Sequence, residues 1–130
     1  MDTEDRLDIE FYTSEQLKGL PFSAAVRVGR MLYLSGQIGI DGSGKLVAGG
    51  ISAETRQTME NIKATLEQYG SSLDHVIKAT VMLADMSEWS EMNKVYVTYF
   101  GRHFPARSAL GANGLALGAR VEIECVAVLK

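Results

Sequence analysis

The chain has very little cysteine, proline and histidine, and these scarcities exclude several kinds of protein. Of its 130 residues, one is cysteine, two are proline and two are histidine. A single cysteine, Cys125, cannot form an intrachain disulfide, and a lone thiol in an apolar segment is typical of a reducing compartment. We therefore expect a cytoplasmic protein. Because there is little proline and no low-complexity segment, a disordered or linker-rich chain is excluded as well.

Basic charge and long apolar runs are also scarce. Thirteen Lys and Arg residues against 16 Asp and Glu give a formal charge of -3, and the basic residues are scattered. Most affinity for nucleic acid comes from neutralising phosphates, so we expect no nucleic-acid partner. No apolar run approaches the roughly 20 residues that cross a bilayer, and we expect no membrane span. The acidic start, MDTEDRLDIE, is unlike a signal or transit peptide.

The sequence does contain a regular succession of strand and helix patterns, in a chain of the right length for one domain. We expect a single domain over 1–130 in which residues 1–18 form an N-terminal arm. Two apolar runs, 22–28 and 31–38, flank Gly29-Arg30 and predict a β-hairpin. A helix is expected over 54–69, with Ser52 as its N-cap and Gly70 just beyond its end. Its apolar face would contain Met59, Ile62, Leu66 and Tyr69.

The second half predicts a strand, a helix and two further strands. In the strand over 75–84, one face would contain Ile77, Ala79, Val81 and Leu83. Ser87 is expected to cap the helix and Gly101 to end it, with an apolar stripe formed by Trp89, Met92, Tyr96 and Tyr99. The last two strands, one from about 107 and one over 120–129, flank a glycine-rich loop at 111–118. This order predicts an α+β fold, a mixed sheet with two helices packed on one face.

The last predicted strand indicates that the chain forms oligomers. Val121, Ile123, Cys125, Ala127 and Leu129 alternate onto one continuous apolar face. The opposite face is polar at the Glu122 end and apolar at the Val128 end. Two helices can cover only one side of such a sheet. The apolar part of the other side therefore needs another cover, and a second copy of the chain is the simplest one.

Three features that suggest chemistry have simpler interpretations. Residues 39–45 match the GxxxxGK part of a P-loop, but Leu46 stands where Ser or Thr is needed and no helix is expected before about residue 53, so we predict a turn. His75 and His103 lack metal-ligand spacing, which predicts no metal site and indicates surface or capping residues. Cys125 is interpreted as a core residue.

Arg107 and Glu122 are the remaining candidates. Arg107 follows Pro105-Ala106 at a predicted strand start, where its planar guanidinium could hold a carboxylate. Glu122 projects onto the mixed face of the last strand, where a partner that excludes water would suit a general acid or base. We expect both side chains to face the sheet side that needs a partner. Spacing alone favours a structural or interfacial salt bridge between them over a catalytic pair.

Six segments, in order, resemble the Rid family, also known as YjgF or endoribonuclease L-PSP-like proteins. They are LSGQI (34–38), ETRQTMENIK (54–63), VIKATVMLADM (76–86), MNKVY (92–96), FPARS (104–108) and VEIE (121–124). The resemblance extends over about residues 19 to 128. It implies a chorismate-mutase-like (YjgF-like) fold and a homotrimer, with helices outside and active sites in clefts between subunits.

The resemblance also implies a hydrolase that uses no metal or organic cofactor. Its substrates would be reactive 2-imino and enamino acids of the 2-aminoacrylate type, 2-iminopropanoate and 2-iminobutanoate, and its products 2-keto acids and ammonia. Such imines arise from pyridoxal-phosphate enzymes, which implies a functional link to them and a role in metabolite detoxification. Arg107 would clamp the substrate carboxylate, and Glu122 would activate water or move protons. The pocket would be completed by Ser35, by Phe22, by the backbone amide of Ala109 and by Asn93 of a neighbouring chain.

The chain departs from the family pattern at several places. Phe22 stands where a tyrosine is usual, Ala109 where a cysteine is frequent, and Gly39 where a proline is usual. The loop at 111–118 lacks an Arg-Leu-Pro-Lys-like segment. These departures predict a shift toward a bulkier or more apolar imine. Two other functions stay open: a non-catalytic regulatory protein that binds small keto or amino acids, and the endoribonuclease or translation inhibitor of the family's older name, which the acidic charge disfavours.

Overall fold

The fold is a six-stranded mixed sheet with two α-helices on one face, in a computed structural model that describes residues 8–130. Residues 1–7 of the expected arm lie outside that range. The sheet order is β1-β2-β3-β6-β4-β5. The strands are β1 (Ile9–Tyr12), β2 (Ala25–Val28), β3 (Met31–Leu34), β4 (Val76–Leu83), β5 (Ala106–Gly111) and β6 (Val121–Val128), and the helices are α1 (Gly50–Gln68) and α2 (Trp89–Tyr96). The predicted α+β class is confirmed.

The predicted hairpin is present as the antiparallel pair β2 and β3. A two-residue loop, Gly29-Arg30, joins the strands, and Gly29 has φ 59°. A positive φ is what tight hairpin turns require, and glycine adopts it without steric cost. On the outer side of β2, β1 pairs antiparallel with it. The described end of the arm is therefore the first strand of the sheet.

Strands β4 and β5 are parallel and are joined by the crossover through α2. All other neighbours in the sheet are antiparallel. In β4 the prediction that Ile77 belongs to the buried face is wrong. The register shifts between Val76 and Lys78, so that Val76 is buried and Ile77 is exposed. A β-bulge of this kind moves one extra residue to the outer side, and no local sequence pattern indicates it here.

Helix α1 begins earlier than its apolar period suggests. Its N-cap is Gly49, with φ 118°, and Ser52 lies inside the first turn, so the predicted N-cap is wrong. The C-terminal prediction is confirmed. Gly70 has φ 90°, and the Ser71 amide donates to the Leu66 carbonyl at 2.8 Å, which is the closing hydrogen bond of a Schellman motif.

Helix α2 is shorter than predicted. The Asp85 carboxylate, rather than Ser87, caps the 3₁₀ turn before it by accepting from the Ser87 amide at 2.9 Å. The helix ends at Tyr96 and continues as a 3₁₀ turn over Val97–Tyr99, so Gly101 does not end it. The apolar stripe is only partly confirmed, because Met92 and Tyr96 are buried whereas Trp89 is 40% exposed.

The core lies between the helices and one face of the sheet. It is formed by the alternate residues of β4 and β6 together with the inner faces of both helices, including Val81, Leu83, Val121, Ile123, Met59 and Met92. No helix within residues 8–130 is long and apolar enough to cross a membrane.

Within residues 8–130, no helix lies on the opposite face of the sheet, which bears an apolar surface. Two rows of apolar residues run across neighbouring strands there. We call them the open-face patch: Phe11, Val26, Tyr33 and Val126 in one row, and Ile9, Val28, Met31 and Val128 in the other. Phe11 is 69% exposed and Tyr33 45%.

Candidate functional site

A cleft of about 630 Å³ contains Glu122. It lies where β3 has stopped pairing with β6 and only the bridge between Gln37 and Ile123 still joins the two segments. Its walls come from five parts of the chain: residues 14–24, the 35–40 segment, the C-terminal end of α1, the loop before β6, and the start of β6 itself. Of the predicted site residues, Phe22, Ser35 and Glu122 line this cleft.

Gly36 sets the position of the Glu122 carboxylate. A β-carbon at Gly36 would lie 3.0 Å from Glu122 Cδ and would collide with Oε2 of the same carboxylate. The absence of a side chain at Gly36 therefore lets the carboxylate pack against the backbone, and any larger residue would displace it. Glu122 is half-buried, and no salt bridge or side-chain hydrogen bond to it is present within residues 8–130. Its oxygens are available to a water molecule or a ligand.

Ser35 and Phe22 differ in what they can offer a ligand. The Ser35 hydroxyl donates to the Ser23 carbonyl at 2.6 Å, so toward the cleft it can only accept a hydrogen bond. Phe22 is 48% exposed and presents its ring to the cleft. Where a tyrosine would add a hydroxyl, this wall is purely apolar.

Arg107 lies elsewhere, against α2. Its Nη1 donates to Asn93 Oδ1 at 2.7 Å, and its Cζ lies 4.8 Å from the centre of the Tyr96 ring and 5.8 Å from that of Trp89. A guanidinium over aromatic faces gains cation–π attraction while keeping its fork of donors. One hydrogen bond and two rings therefore fix its orientation and leave most of its N–H groups unbonded.

The Tyr96 ring is part of the support for Arg107. Tyr96 is 3% exposed and its hydroxyl has no hydrogen-bond partner among the described residues. Burial raises the pKa of Tyr96, an effect that the Arg107 charge partly opposes. The neutral phenol is therefore the form that faces the guanidinium at physiological pH.

Arg107 and Glu122 lie on opposite faces of the sheet in one chain. Arg107 pairs with Ala79 and Cys125 across the strands, and both of these are buried on the helix side. Glu122 is in register with Met82 and Leu110 on the uncovered side. Directly paired residues in a sheet point to the same face. The prediction that Arg107 faces the uncovered side is therefore wrong, and an ion pair between the two within one chain is excluded.

The remaining two predicted site residues accompany Arg107. Asn93 bonds to Arg107 of its own chain, so the two side chains belong to the same part of a site. Ala109 lies two residues beyond Arg107 on β5, on the same side of the sheet. Because β5 is the last strand of the sheet, half of its backbone amides point away from β4 and are open to a ligand.

A buried carboxylate that the sequence analysis missed fixes the start of β6. Glu54 is 6% exposed, and its Oε1 accepts from the Arg120 amide at 2.9 Å. The Arg120 side chain bonds to Glu88 at 2.9 Å. This network ties α1 and the turn before α2 to the backbone two residues before Glu122. The i, i+4, i+8 spacing of Glu54, Thr58 and Ile62 could have indicated its buried position.

The other titratable candidates do not form a site. Cys125 is buried, and burial raises the pKa of its thiol to about 12, so it is a core residue as predicted. The His75 ring bonds to Ser72 at 2.7 Å beside a short 3₁₀ turn, and His103 is exposed. The Asp41 carboxylate closes the 39–45 turn by accepting from Ser43. Within residues 8–130, no three His, Cys, Asp or Glu side chains are grouped to hold a metal.

Comparison with known proteins gives matches over nearly the whole chain. The model of the family described as Endoribonuclease L-PSP matches residues 14–129. A bovine 2-iminobutanoate/2-iminopropanoate deaminase is 48% identical over 109 residues, which are 83% of this chain and 80% of that protein. The mouse protein of the same name is 45% identical over 109 residues, 83% of this chain and 81% of its own.

Solved structures give the same result at the level of the fold. The structure of a Rid-family protein of unknown function from Yersinia pestis superposes with a TM-score of 0.88 at 36% identity, covering 94% of this chain and 100% of that one. A RidA protein from the Antarctic bacterium Psychrobacter superposes with a TM-score of 0.82 at 36% identity, covering 91% and 94% of the two chains.

Proposed function

The chain belongs to the endoribonuclease L-PSP family, also called the Rid or YjgF family, and we propose that it is an imine deaminase. It hydrolyses reactive 2-imino and enamino acids, among them 2-iminopropanoate, 2-iminobutanoate and 2-aminoacrylate-type compounds, to 2-keto acids and ammonia. Two findings support this proposal: the likeness to proteins named as 2-iminobutanoate/2-iminopropanoate deaminases, and a guanidinium and a carboxylate whose donors and acceptors are both free for a ligand.

The observation on which the site rests is the separation of these two groups. A single chain presents Glu122 in a cleft on one side of the sheet and Arg107 on the other side, at the edge strand. One small substrate cannot reach both groups within one chain. We propose that Arg107 of one copy closes the Glu122 cleft of the next, so that each active site is shared between two subunits.

The two groups divide the chemistry between them. The Arg107 fork holds the substrate carboxylate through paired N–H donors, with Asn93 and Tyr96 keeping it in place. Glu122 takes a proton from a water molecule as that water adds to the carbon of the protonated imine, and it passes this proton to the nitrogen of the resulting carbinolamine. As the C–N bond breaks and ammonia leaves, Glu122 takes the hydroxyl proton, which leaves the 2-keto acid. Imine hydrolysis already proceeds in water without a catalyst. Holding the substrate carboxylate and one water molecule in place therefore supplies much of the rate acceleration.

A homotrimer is the assembly we propose, and the open-face patch supports it. Two rows of apolar side chains lie on a sheet face that no helix covers, and exposed patches of this kind mark subunit interfaces. A closed ring of three copies would bury the patch and would place the β5 edge of one copy beside the cleft of another. The trimer would contain three equivalent sites.

The setting we propose is cytoplasmic, in detoxification downstream of pyridoxal-phosphate enzymes that release enamines. A single cysteine with a buried thiol supports a reducing compartment. RNA cleavage, which the family description names, is disfavoured by the formal charge of -3.

The proposal is tested by generating an imine in the presence of a trap. An amino acid oxidase or a serine/threonine dehydratase produces the imine, semicarbazide captures it, and a deaminase lowers the captured fraction. We expect the wild-type protein to lower it in proportion to enzyme concentration. A protein that binds 2-keto acids yet leaves the captured fraction unchanged for every amino acid tested would be a sensor rather than a deaminase. RNA incubated with the same nuclease-free preparation should remain intact.

A further inference from the structure

The exposed surface of the Glu122 cleft is predominantly apolar. Six large apolar side chains line it, namely Leu17, Leu20, Phe22, Ile38, Ile40 and Leu117. Its volume of about 630 Å³ falls within the roughly 300–1,000 Å³ of pockets that hold drug-sized ligands. In a single chain, before a neighbouring copy contributes Arg107, an imino acid of three or four carbons would fill a small part of this space.

Three of the polar side chains that line the cleft are already paired within the protein. Gln37 Nε2 donates to Thr65 Oγ1 at 2.9 Å, and Thr65 Oγ1 donates to the Asn61 carbonyl at 3.0 Å. Ser35 donates to a backbone carbonyl. Apart from Glu122 and the side chains of Ser14, Gln16 and Gln68, the walls therefore offer a ligand mainly hydrocarbon contacts. The ligand that complements them has a polar head and an apolar tail.

Leu117 is the second, independent observation. It has φ 58° and ψ 18° and is the one non-glycine residue with positive φ in the described chain. It is also 71% exposed while lining the cleft. L side chains rarely adopt this conformation, and exposed leucine gains nothing from water, so neither local sterics nor solvation explains its place. Strained residues of this kind cluster at sites that clamp ligands.

We infer that Leu117 and the apolar walls bind the side chain of the imino acid, so that the enzyme prefers imines derived from large apolar amino acids such as leucine, methionine and phenylalanine. This inference rests on the proposed deaminase function. A substrate with its imine carbon beside Glu122 extends its side chain along the cleft against these residues. Each methylene group removed from water contributes about fourfold to kcat/KM. The leucine-derived imine should therefore exceed the alanine-derived one by at least about tenfold.

The test compares imines made in situ from alanine, 2-aminobutyrate, leucine, methionine and phenylalanine, with semicarbazide as the trap. The variant is Leu117→Asn. Asparagine is smaller than leucine, but it is branched at the same carbon and tolerates positive φ, so the substitution removes apolar character while the loop backbone keeps its conformation. We expect the ratio of kcat/KM for the leucine and alanine imines to fall about fivefold to tenfold in Leu117→Asn. The matched control is Val97→Asn, which alters an exposed apolar residue outside the cleft and should keep the wild-type ratio.

Failure of the inference can be distinguished from failure of the proposed function. If all imines are hydrolysed but the alanine imine is preferred, or if Leu117→Asn leaves the ratio unchanged, the side-chain site is wrong and the deaminase function stands. If no imine is hydrolysed, calorimetry of 4-methyl-2-oxopentanoate and pyruvate binding decides whether the apolar side-chain site exists. Tighter binding of the larger keto acid, lost in Leu117→Asn, would support the apolar site, and equal binding would overturn it.

Discussion

Replacement of Arg107 tests the carboxylate clamp. The guanidinium has one hydrogen bond, to Asn93 at 2.7 Å, and packs 4.8 Å from the Tyr96 ring centre, so its remaining donors can form a paired contact with a carboxylate. Hydrogen bonds to charged groups contribute about 1.5–3 kcal/mol each. Two such hydrogen bonds to the substrate carboxylate, weakened by partial solvent access, contribute about 3 kcal/mol of binding free energy. Arg107→Ala would lose this contribution.

The expected result is a decrease in kcat/KM of about 100-fold or more for Arg107→Ala. Arg107→Lys keeps the charge but not the planar fork, and we expect it to recover at most about tenfold of that loss. The assay is the semicarbazide competition with a leucine-derived imine. Because the native contacts of Arg107 are one hydrogen bond and a cation–π contact, both variants should unfold within about 2 kcal/mol of wild type by urea titration. A folded Arg107→Ala protein with kcat/KM within twofold of wild type would refute the clamp.

Three further predictions follow from neighbouring contacts. Gly36→Ala places a methyl group against the Glu122 carboxylate and should lower kcat by about tenfold or more. The melting temperature should stay nearly unchanged, because only the flexible end of the Glu122 side chain must move. An unchanged kcat would mean that catalysis does not require this position of the carboxylate. Glu54→Ala leaves the Arg120 amide without its acceptor and should lower the free energy of unfolding in urea by about 2–3 kcal/mol. Glu54→Gln keeps an acceptor and should lower it by less. Equal decreases in the two variants would contradict this role of Glu54. Burial raises the pKa of the Cys125 thiol to about 12 from an ordinary value of 9.0. The contribution of the buried neutral thiol to stability is therefore complete below pH 9 and declines as the pH rises toward 12. A thiol reagent at pH 8 should label Cys125 only after denaturation.

Local patterns in the sequence predict those features of the fold that residues close together along the chain determine. The β2–β3 hairpin and the Gly70 helix end were predicted correctly because a positive-φ glycine and the flanking apolar periods identify them. Of the cleft residues, Glu122 was a candidate from its position on the last predicted strand, whereas Ser35 and Phe22 were predicted only from the resemblance to a family.

Features that depend on pairing between distant segments were missed. The face of Arg107 is set by the parallel register of β5 on β4, which no pattern within 104–108 specifies. The bulge that exposes Ile77 is likewise a property of the β4–β6 pair. The Glu54 bond to the Arg120 amide joins residues 66 positions apart. Each required knowledge of which strands and helices meet.

Subunit mixing tests the central claim most directly, namely that each active site takes Arg107 from one copy and Glu122 from another. Arg107→Ala and Glu122→Gln should each be nearly inactive as homo-oligomers. When equal amounts are unfolded together and refolded, random assembly gives about one quarter of the sites an intact Arg107 from one subunit and an intact Glu122 from its neighbour. We predict recovery of about one quarter of wild-type activity per site. Mixed oligomers, verified by mass, that remain as inactive as their parents would contradict the shared site.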